Sequence, residues 1–192
     1  MSTTPAVSGS KTHQKIQSMA YIALFAVVMA VCAWISIPTP WGVEFTLQCF
    51  AIFLAVGVLG GRRGTLAVVV YILLGAVGVP VFAGFTGGLG ALLGTTGGYI
   101  IGFFFTALVM WALETLLGRK LWVLAVSMVL GLIVCYAFGT AWFMVVYARN
   151  AGAIGLATAL GWCVIPYIIP DLVKIALALV LSDRLRALLK LA

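Results

Sequence analysis

The sequence predicts an all-α integral membrane protein with six transmembrane helices and both termini in the cytoplasm. Of the 192 residues, 65% are hydrophobic and only 8% are charged. Soluble domains have about 45–50% apolar and about 25% charged residues, so this composition excludes that class. At about 20 apolar residues per span, the length allows roughly six spans joined by short loops. No room remains for a soluble catalytic domain.

Six apolar runs define the predicted spans. Residues 1–15 are polar and predict a disordered cytoplasmic tail, followed by a single transmembrane domain over residues 16–192. The first run is longer than the apolar segment of a cleaved signal peptide, so we expect it to be retained. Pro38 and Pro40 end it, because proline cannot continue a helix. The predicted spans are Ile16–Ile37, Phe45–Gly61, Thr65–Val81, Ala91–Leu117, Leu121 to about Trp142, and from Pro166 or Tyr167 to about Asp183.

The basic residues set the orientation of these spans. With six spans, nine of the 11 Lys and Arg residues lie on one side of the membrane. The positive-inside rule places that side, and both termini, in the cytoplasm of a plasma-membrane protein. A seventh span at residues 151–165 would move the basic C-terminus outside, so we expect this segment to lie at the outer interface or to re-enter. The nine residues are Lys11, Lys15, Arg62, Arg63, Arg119, Lys120, Arg184, Arg186 and Lys190.

Two ionisable residues near the outer end of the sixth span are the strongest candidates for a site. Asp171 and Lys174 are three residues apart, which places them on one face of a helix. Charged groups within a span are costly unless they are paired or face a polar cavity, and they indicate function by default. The alternative is a purely structural ion pair. A carboxylate beside an ammonium suits a neutral ligand with donors and acceptors, such as a urea-like ring.

Glycine is concentrated between residues 75 and 102. The cluster around Gly84 predicts an irregular loop over residues 82–90, with exposed backbone amides that could cap or line a pocket. Thr86 and Tyr99 are candidate polar contributors to that pocket. Gly98 and Gly102 belong to a four-residue repeat that favours close helix packing.

Two further positions have two possible roles each. Gln48, at the outer start of the second span, either faces a pocket or forms an interhelical hydrogen bond. Ala26 and Ala30 form a small-residue pair on the first span. They either pack inside the chain or face another membrane subunit.

Other chemistries are not indicated. The only histidine, His13, lies in the polar tail, and the four cysteines are scattered singly, so we expect no metal site and no cofactor. Phosphate-binding and hydrolase motifs such as GxxxxGK[ST], HExxH and GxSxG are absent, which argues against an enzyme. The net charge of +7 reflects the positive-inside rule rather than nucleic-acid binding.

Four motifs occur in order along the chain, near the ends of the predicted spans. They are Ile37-Pro38 with Thr46-Leu47-Gln48, Gly75-Ala-Val-Gly-Val-Pro-Val-Phe82, Gly94-Thr-Thr-Gly-Gly-Tyr99 with Gly102-Phe103, and Pro170-Asp171-Leu-Val-Lys174. Taken together, these motifs make the chain resemble the BioY family, the biotin-capturing S subunits of energy-coupling factor (ECF) transporters. The resemblance covers about residues 20–186.

The resemblance implies the six-helix S-component bundle and a biotin site near the outer face. Asp171 and Lys174 match the family's DxxK and would contact the ureido ring, while Tyr99 lies in a site-lining segment. Thr86 falls at a polar loop position of the family. Ala26 and Ala30 would meet the transmembrane coupling subunit, and two ABC-type ATPases would supply the energy.

The chain departs from the family pattern in three places. Thr95 replaces a proline, and a glycine normally found beside Pro170 is absent. Ile100 stands where some relatives carry arginine, so the biotin carboxylate pairs either with Arg149, a candidate by location, or with water. Alternatives to biotin capture are an S component for another vitamin and a stand-alone biotin facilitator.

Overall fold

The structure, a computed structural model that describes residues 8–40 and 43–189, is predominantly helical. A two-stranded antiparallel hairpin, β1 (Ser36–Ile37) and β2 (Phe45–Thr46), connects the first two helices. Two 3-10 turns, Ala83–Phe85 and Ile165–Tyr167, precede α4 and α8. Within the described ranges the α-helices are α1 (Ser8–Trp34), α2 (Gln48–Leu59), α3 (Gly61–Ala76), α4 (Leu89–Leu93), α5 (Gly97–Leu117), α6 (Leu121–Ala151), α7 (Leu156–Cys163) and α8 (Ile168–Leu189).

The chain is a multi-pass membrane protein. Four helical segments in the described part of the chain are long and apolar enough to cross a bilayer: Thr12–Trp34, Gly97–Leu117, Leu121–Ala151 and Leu156–Leu189. Large apolar side chains on their outer faces, such as Val27, Ile133 and Val173, are more than half exposed. Soluble monomers rarely expose a continuous apolar surface of this kind, whereas lipid tails cover it well.

The predicted second and third spans correspond to α2 and α3, which contain 12 and 16 residues. Both are shorter than the roughly 20 residues that a perpendicular span requires. A count of six spans therefore remains a prediction.

The first helix begins earlier than predicted. Residues 8–15, expected to be disordered, form the first two turns of α1. Gln14 and Lys15 have long unbranched side chains that lose little rotamer freedom in a helix, so polarity alone did not indicate disorder. Residues 1–7 of the predicted tail lie outside the described residues.

The predicted fourth span is interrupted. The run Ala91–Leu117 divides into α4 and α5, with a break at residues 94–96. Gly94 is extended, and a Cβ at Gly97 would overlap the carbonyl of Leu92. This close backbone approach requires glycine, so the break follows from local packing rather than from hydropathy.

The connection between α2 and α3 is tighter than predicted. Gly60, with φ of +83°, is the only residue between the two helices, and Arg62 and Arg63 already belong to the first turn of α3. A Cβ at Gly64 would overlap the backbone of Val56, so α2 and α3 are in close contact. Glycine supplies both the left-handed turn and the close approach.

Helix α2 lies at the centre of the bundle, where it contacts α1, α3, α5 and α8. Ten of its 12 residues are buried. Ala26 and Ala30 of α1 belong to the same core and are 2% and 4% exposed. The pair therefore packs inside the chain, which is one of the two roles considered for it, and its contact with a partner subunit stays a prediction.

Candidate ligand-binding site

One cavity, of about 510 Å³, lies between the hairpin, the 82–88 loop and helices α2 and α4–α8. We refer to it as the main cavity. Its volume lies within the range of about 300–1,000 Å³ that is usual for small-molecule sites. Most of its surface is apolar, but 11 of its 23 lining residues have polar side chains. Its polar side chains are Glu44, Thr46, Gln48, Thr86, Thr95, Thr96, Tyr99, Tyr136, Tyr167, Asp171 and Lys174.

Asp171 and Lys174 form a buried ion pair in the wall of the main cavity. Pro170 precedes Asp171 in the first turn of α8, where a missing backbone donor costs nothing. Lys174 Nζ donates to Asp171 Oδ1 at 2.6 Å, and the two residues are 5% and 3% exposed. Charges this well buried remain ionised only with close partners. The predicted placement on one helix face is confirmed.

Two aromatic residues complete the environment of this pair. The hydroxyl of Tyr136, on α6, donates to Asp171 Oδ2 at 2.5 Å. Lys174 Nζ lies 4.2 Å from the ring centroid of Phe45, which is a cation–π distance. Each carboxylate oxygen thus has one partner, and the ammonium retains donor capacity beyond its bond to Asp171.

Gln48 has both of the roles considered for it. It lines the main cavity and is buried, and its Nε2 donates to the Tyr71 hydroxyl at 2.6 Å. Tyr71 in turn donates to the carbonyl of Val81 at 3.1 Å. This chain of hydrogen bonds ties the start of α2 to α3 and to the residue that precedes the glycine-rich loop.

Tyr99 lines the cavity from α5. Its hydroxyl shares a 3.0 Å hydrogen bond with Thr140 Oγ1 of α6. A Cβ at Gly139 would overlap the Tyr99 ring, so the ring packs directly on the α6 backbone. The repeat predicted at Gly98 also serves packing, because Trp142 occupies the space beside it. Trp142 Nε1 donates to the carbonyl of Gly94, a cavity residue, at 3.0 Å.

Of the two candidate residues in the 82–88 loop, Thr86 and Gly84, only Thr86 lines the cavity. Thr86 lines the cavity, and its hydroxyl donates to the carbonyl of Ala83 at 2.8 Å. Gly84 is not among the residues that line the cavity. Its φ of +63° shapes the turn, and a Cβ at this position would lie 3.4 Å from Glu44 Oε1. The irregular loop predicted over residues 82–90 is confirmed for residues 82–88, whereas Leu89 and Gly90 already belong to α4. Gly84 contributes shape rather than a lining surface.

Arg149, considered as a partner for a ligand carboxylate, is exposed near the end of α6 and does not line the cavity. Three of the four cysteines do line it: Cys49, Cys135 and Cys163. All four are free thiols, as their scattered positions predict. Among the described residues no group of His, Cys, Asp and Glu side chains has the arrangement of a metal site.

Comparison with known proteins identifies the family. A sequence model described as the BioY family matches residues 4–191. The chain belongs to the BioY family.

Relatives of this BioY chain cover most of its length. A biotin transporter BioY of Thermotoga maritima is 42% identical over 165 residues, 86% of this chain and 93% of the relative. A probable biotin transporter BioY of Pyrococcus horikoshii is 40% identical over 90% of this chain and 98% of the relative. A crystal structure of the S-component for biotin from an ECF-type ABC transporter superposes with a TM-score of 0.80. It is 28% identical, over 91% of this chain and 93% of the other.

Tyr136 and Glu44 of this BioY chain line the cavity but were not predicted from the sequence as site residues. Tyr136 contacts Asp171 from 35 residues away, and its only signal was a hydroxyl in the middle of an apolar helix. Glu44 lies in a short connection with two prolines and a glycine, which indicated only a loop. It lines the cavity, and its Oε2 is buried without a hydrogen-bond partner in the described part of the chain. An acidic residue beside a predicted pocket was the available signal.

Proposed function

We propose that this BioY chain binds biotin in the main cavity and acts as the substrate-capturing S component of an ECF-type transporter. The observation that carries the proposal is the buried Asp171–Lys174 pair, which opens onto a cavity of about 510 Å³. The names of the relatives, biotin transporters and an S-component for biotin, support the ligand.

The ureido ring of biotin matches the chemistry of the pair. Its carbonyl oxygen accepts hydrogen bonds, and its two N–H groups donate them. Lys174 donates to the carbonyl, while Asp171 accepts from an N–H group. Tyr136 keeps the carboxylate in place through its 2.5 Å hydrogen bond. A ligand without these groups would leave the remaining donors of the Lys174 ammonium without acceptors, which is how a polar site rejects analogues.

The remainder of biotin is apolar apart from its terminal carboxylate. The thiophane ring and the valeryl chain would contact Phe82, Ala91, Ile100 and Phe103, all of which line the cavity. Burial of apolar ligand surface contributes about 25 cal/mol per Å², so this half of the ligand supplies affinity while the ion pair supplies orientation. Thr86, Tyr99 and Gln48 shape the wall through the hydrogen bonds described above.

In the proposed arrangement the chain is a single domain that crosses the plasma membrane six times, with both termini in the cytoplasm and its apolar faces in contact with lipid. The distribution of basic residues supports the orientation. ATP hydrolysis is performed by two ABC-type ATPases, which act through a transmembrane coupling subunit. The chain itself is a transporter subunit rather than an enzyme.

A biotin titration of the detergent-purified protein tests the proposal through tryptophan fluorescence. Trp34 stacks on Phe85 of the 82–88 loop with ring centroids 5.1 Å apart, and Trp142 is bonded to Gly94. Both should therefore respond when the cavity fills. We expect a saturable response in the nanomolar range that is not competed by other vitamins. A folded, ligand-free sample that does not respond and does not retain labelled biotin contradicts the proposal.

A further inference from the structure

The feature that the proposed function does not use is the carboxylate of Glu44. Glu44 lies immediately before β2, and it lines the main cavity. Its Oε2 is buried, and no hydrogen-bond partner for it is found among the residues that the structure describes. A buried carboxylate oxygen without a donor is unfavourable, and a molecule in the cavity is a source of such a donor.

The charges that line the cavity do not balance. They are Glu44, Asp171 and Lys174, which sum to one net negative charge. Lys174 is committed to Asp171 at 2.6 Å. Among the described residues that line the cavity, none is an arginine and none is a second lysine. A ligand carboxylate therefore has no side-chain cation of its own here and meets an unpaired like charge.

Glu44 and the ion pair belong to different parts of the wall. Asp171 is held by α8 and by Tyr136 of α6. The carboxylate of Glu44 faces Gly84 of the 82–88 loop instead, where a Cβ would lie 3.4 Å from Oε1. Glu44 thus lies outside the hydrogen-bonded group around Asp171, in the part of the wall that the hairpin connection and the 82–88 loop form.

We infer that Glu44 is a specificity-determining residue, and that it favours biotin derivatives whose carboxyl group is neutralised, above all amides, over free biotin. The inference rests on the proposed function. An amide removes the negative charge that Glu44 repels, and it also brings an N–H donor for the unpartnered Oε2. Free biotin still binds through its ureido ring, without this contribution.

Affinities for a set of biotin derivatives test the inference. The probes are biotin, biotinamide, biotin methyl ester and biotinyl-lysine, measured by calorimetry on the full-length purified protein. We expect biotinamide to bind about fivefold more tightly than biotin, as removal of one like-charge contact at a partly buried site predicts. The methyl ester, neutral but without an N–H group, should lie between the two.

Two variants assign the preference to this residue. Glu44→Gln keeps the shape of the side chain and removes its charge, so the amide-to-acid ratio should fall to about one, mainly through tighter binding of biotin. Asp183→Asn removes the same charge from an exposed position outside the cavity and should keep the ratio of the unsubstituted protein. The comparison of biotin, biotinamide and biotin methyl ester uses the unsubstituted protein, so a folding defect in Glu44→Gln would not remove the test.

A ratio near one in the unsubstituted protein, or a preference for amides that Glu44→Gln leaves intact, overturns the inference while biotin capture stands. Failure of every probe, biotin included, to bind a folded sample overturns the proposed function together with the inference.

Discussion

Tyr136 of α6 donates a 2.5 Å hydrogen bond to Asp171 of α8, so the acidic member of the buried ion pair is positioned from a second helix. Asp171 therefore has two donors, Tyr136 and Lys174, on its two oxygens. A buried carboxylate with both oxygens hydrogen-bonded is held in a fixed direction. This relationship explains how a single-turn Asp–Lys spacing becomes a fixed recognition element instead of a mobile surface pair.

We predict that Tyr136→Phe weakens biotin binding by about threefold to tenfold. Loss of one hydrogen bond to a buried charged group costs about 1–3 kcal/mol, part of which water entering the cavity recovers. Calorimetric titration measures the effect. Tyr147→Phe on the same helix is the matched control, because Tyr147 packs against Phe143 and Trp162 outside the main cavity. Equal effects of the two substitutions would exclude a positioning role for the Tyr136 hydroxyl.

The ion pair itself should matter more. We predict that Asp171→Asn and Lys174→Ala each weaken biotin binding at least tenfold, which corresponds to about 1.4 kcal/mol. Each substitution removes a ligand contact and also leaves the opposite charge buried without its partner. Arg149→Ala removes a positive charge from an exposed position and serves as the control for Lys174→Ala. Unchanged binding in both site variants would refute the assignment of the site.

The sequence predicted the contact between residues that lie close together in the chain and missed the contacts between residues that lie far apart in it. Asp171 and Lys174 interact across three residues of one helix, so their pairing follows from helix geometry alone. Tyr136 and Glu44 reach the same cavity from other elements, and no local pattern connects them to Asp171. The composition predicted a membrane-embedded helical chain because apolar content does not depend on tertiary contacts.

The small residues show a second limit: a local spacing does not reveal which surface the residues pack against. Ala26 and Ala30 have the spacing of a docking motif, yet the same spacing serves internal packing, and only tertiary structure decides between the two. Gly97 illustrates a helix boundary that hydropathy does not detect. The run around it is apolar throughout, but its backbone lies so close to Leu92 that α4 and α5 separate there.

The cysteines provide a test of where biotin lies. Cys49, Cys135 and Cys163 line the main cavity, whereas Cys32 is buried elsewhere in the core. We predict that biotin slows alkylation of Cys49, the least buried of the three, by a small maleimide. At a ligand concentration of about 100 times Kd, roughly 1% of the sites are free, which allows up to a hundredfold protection.

Mass spectrometry of the alkylated peptides measures this protection, and Cys32 is the internal control, because any change in its rate reports global stabilisation instead of occupancy. Protection of Cys32 equal to that of Cys49 would place the ligand outside the main cavity or indicate a general effect on unfolding.

The packing of α5 on α6 should be sensitive to a single methyl group. A Cβ at Gly139 would overlap the Tyr99 ring, so Gly139→Ala forces the ring away from α6 and strains its hydrogen bond to Thr140. Overpacking of this kind costs about 1–3 kcal/mol, which should lower the melting temperature in detergent and also weaken biotin binding, because Tyr99 lines the cavity.

Gly161→Ala is the matched control, because Gly161 lies in α7 with open space at its Cβ position. There the substitution should leave stability unchanged or raise it by up to about 1 kcal/mol, as the helix propensity of alanine predicts. A Gly139→Ala protein as stable as Gly161→Ala, with unaltered biotin affinity, would show that Tyr99 does not depend on close contact with the α6 backbone.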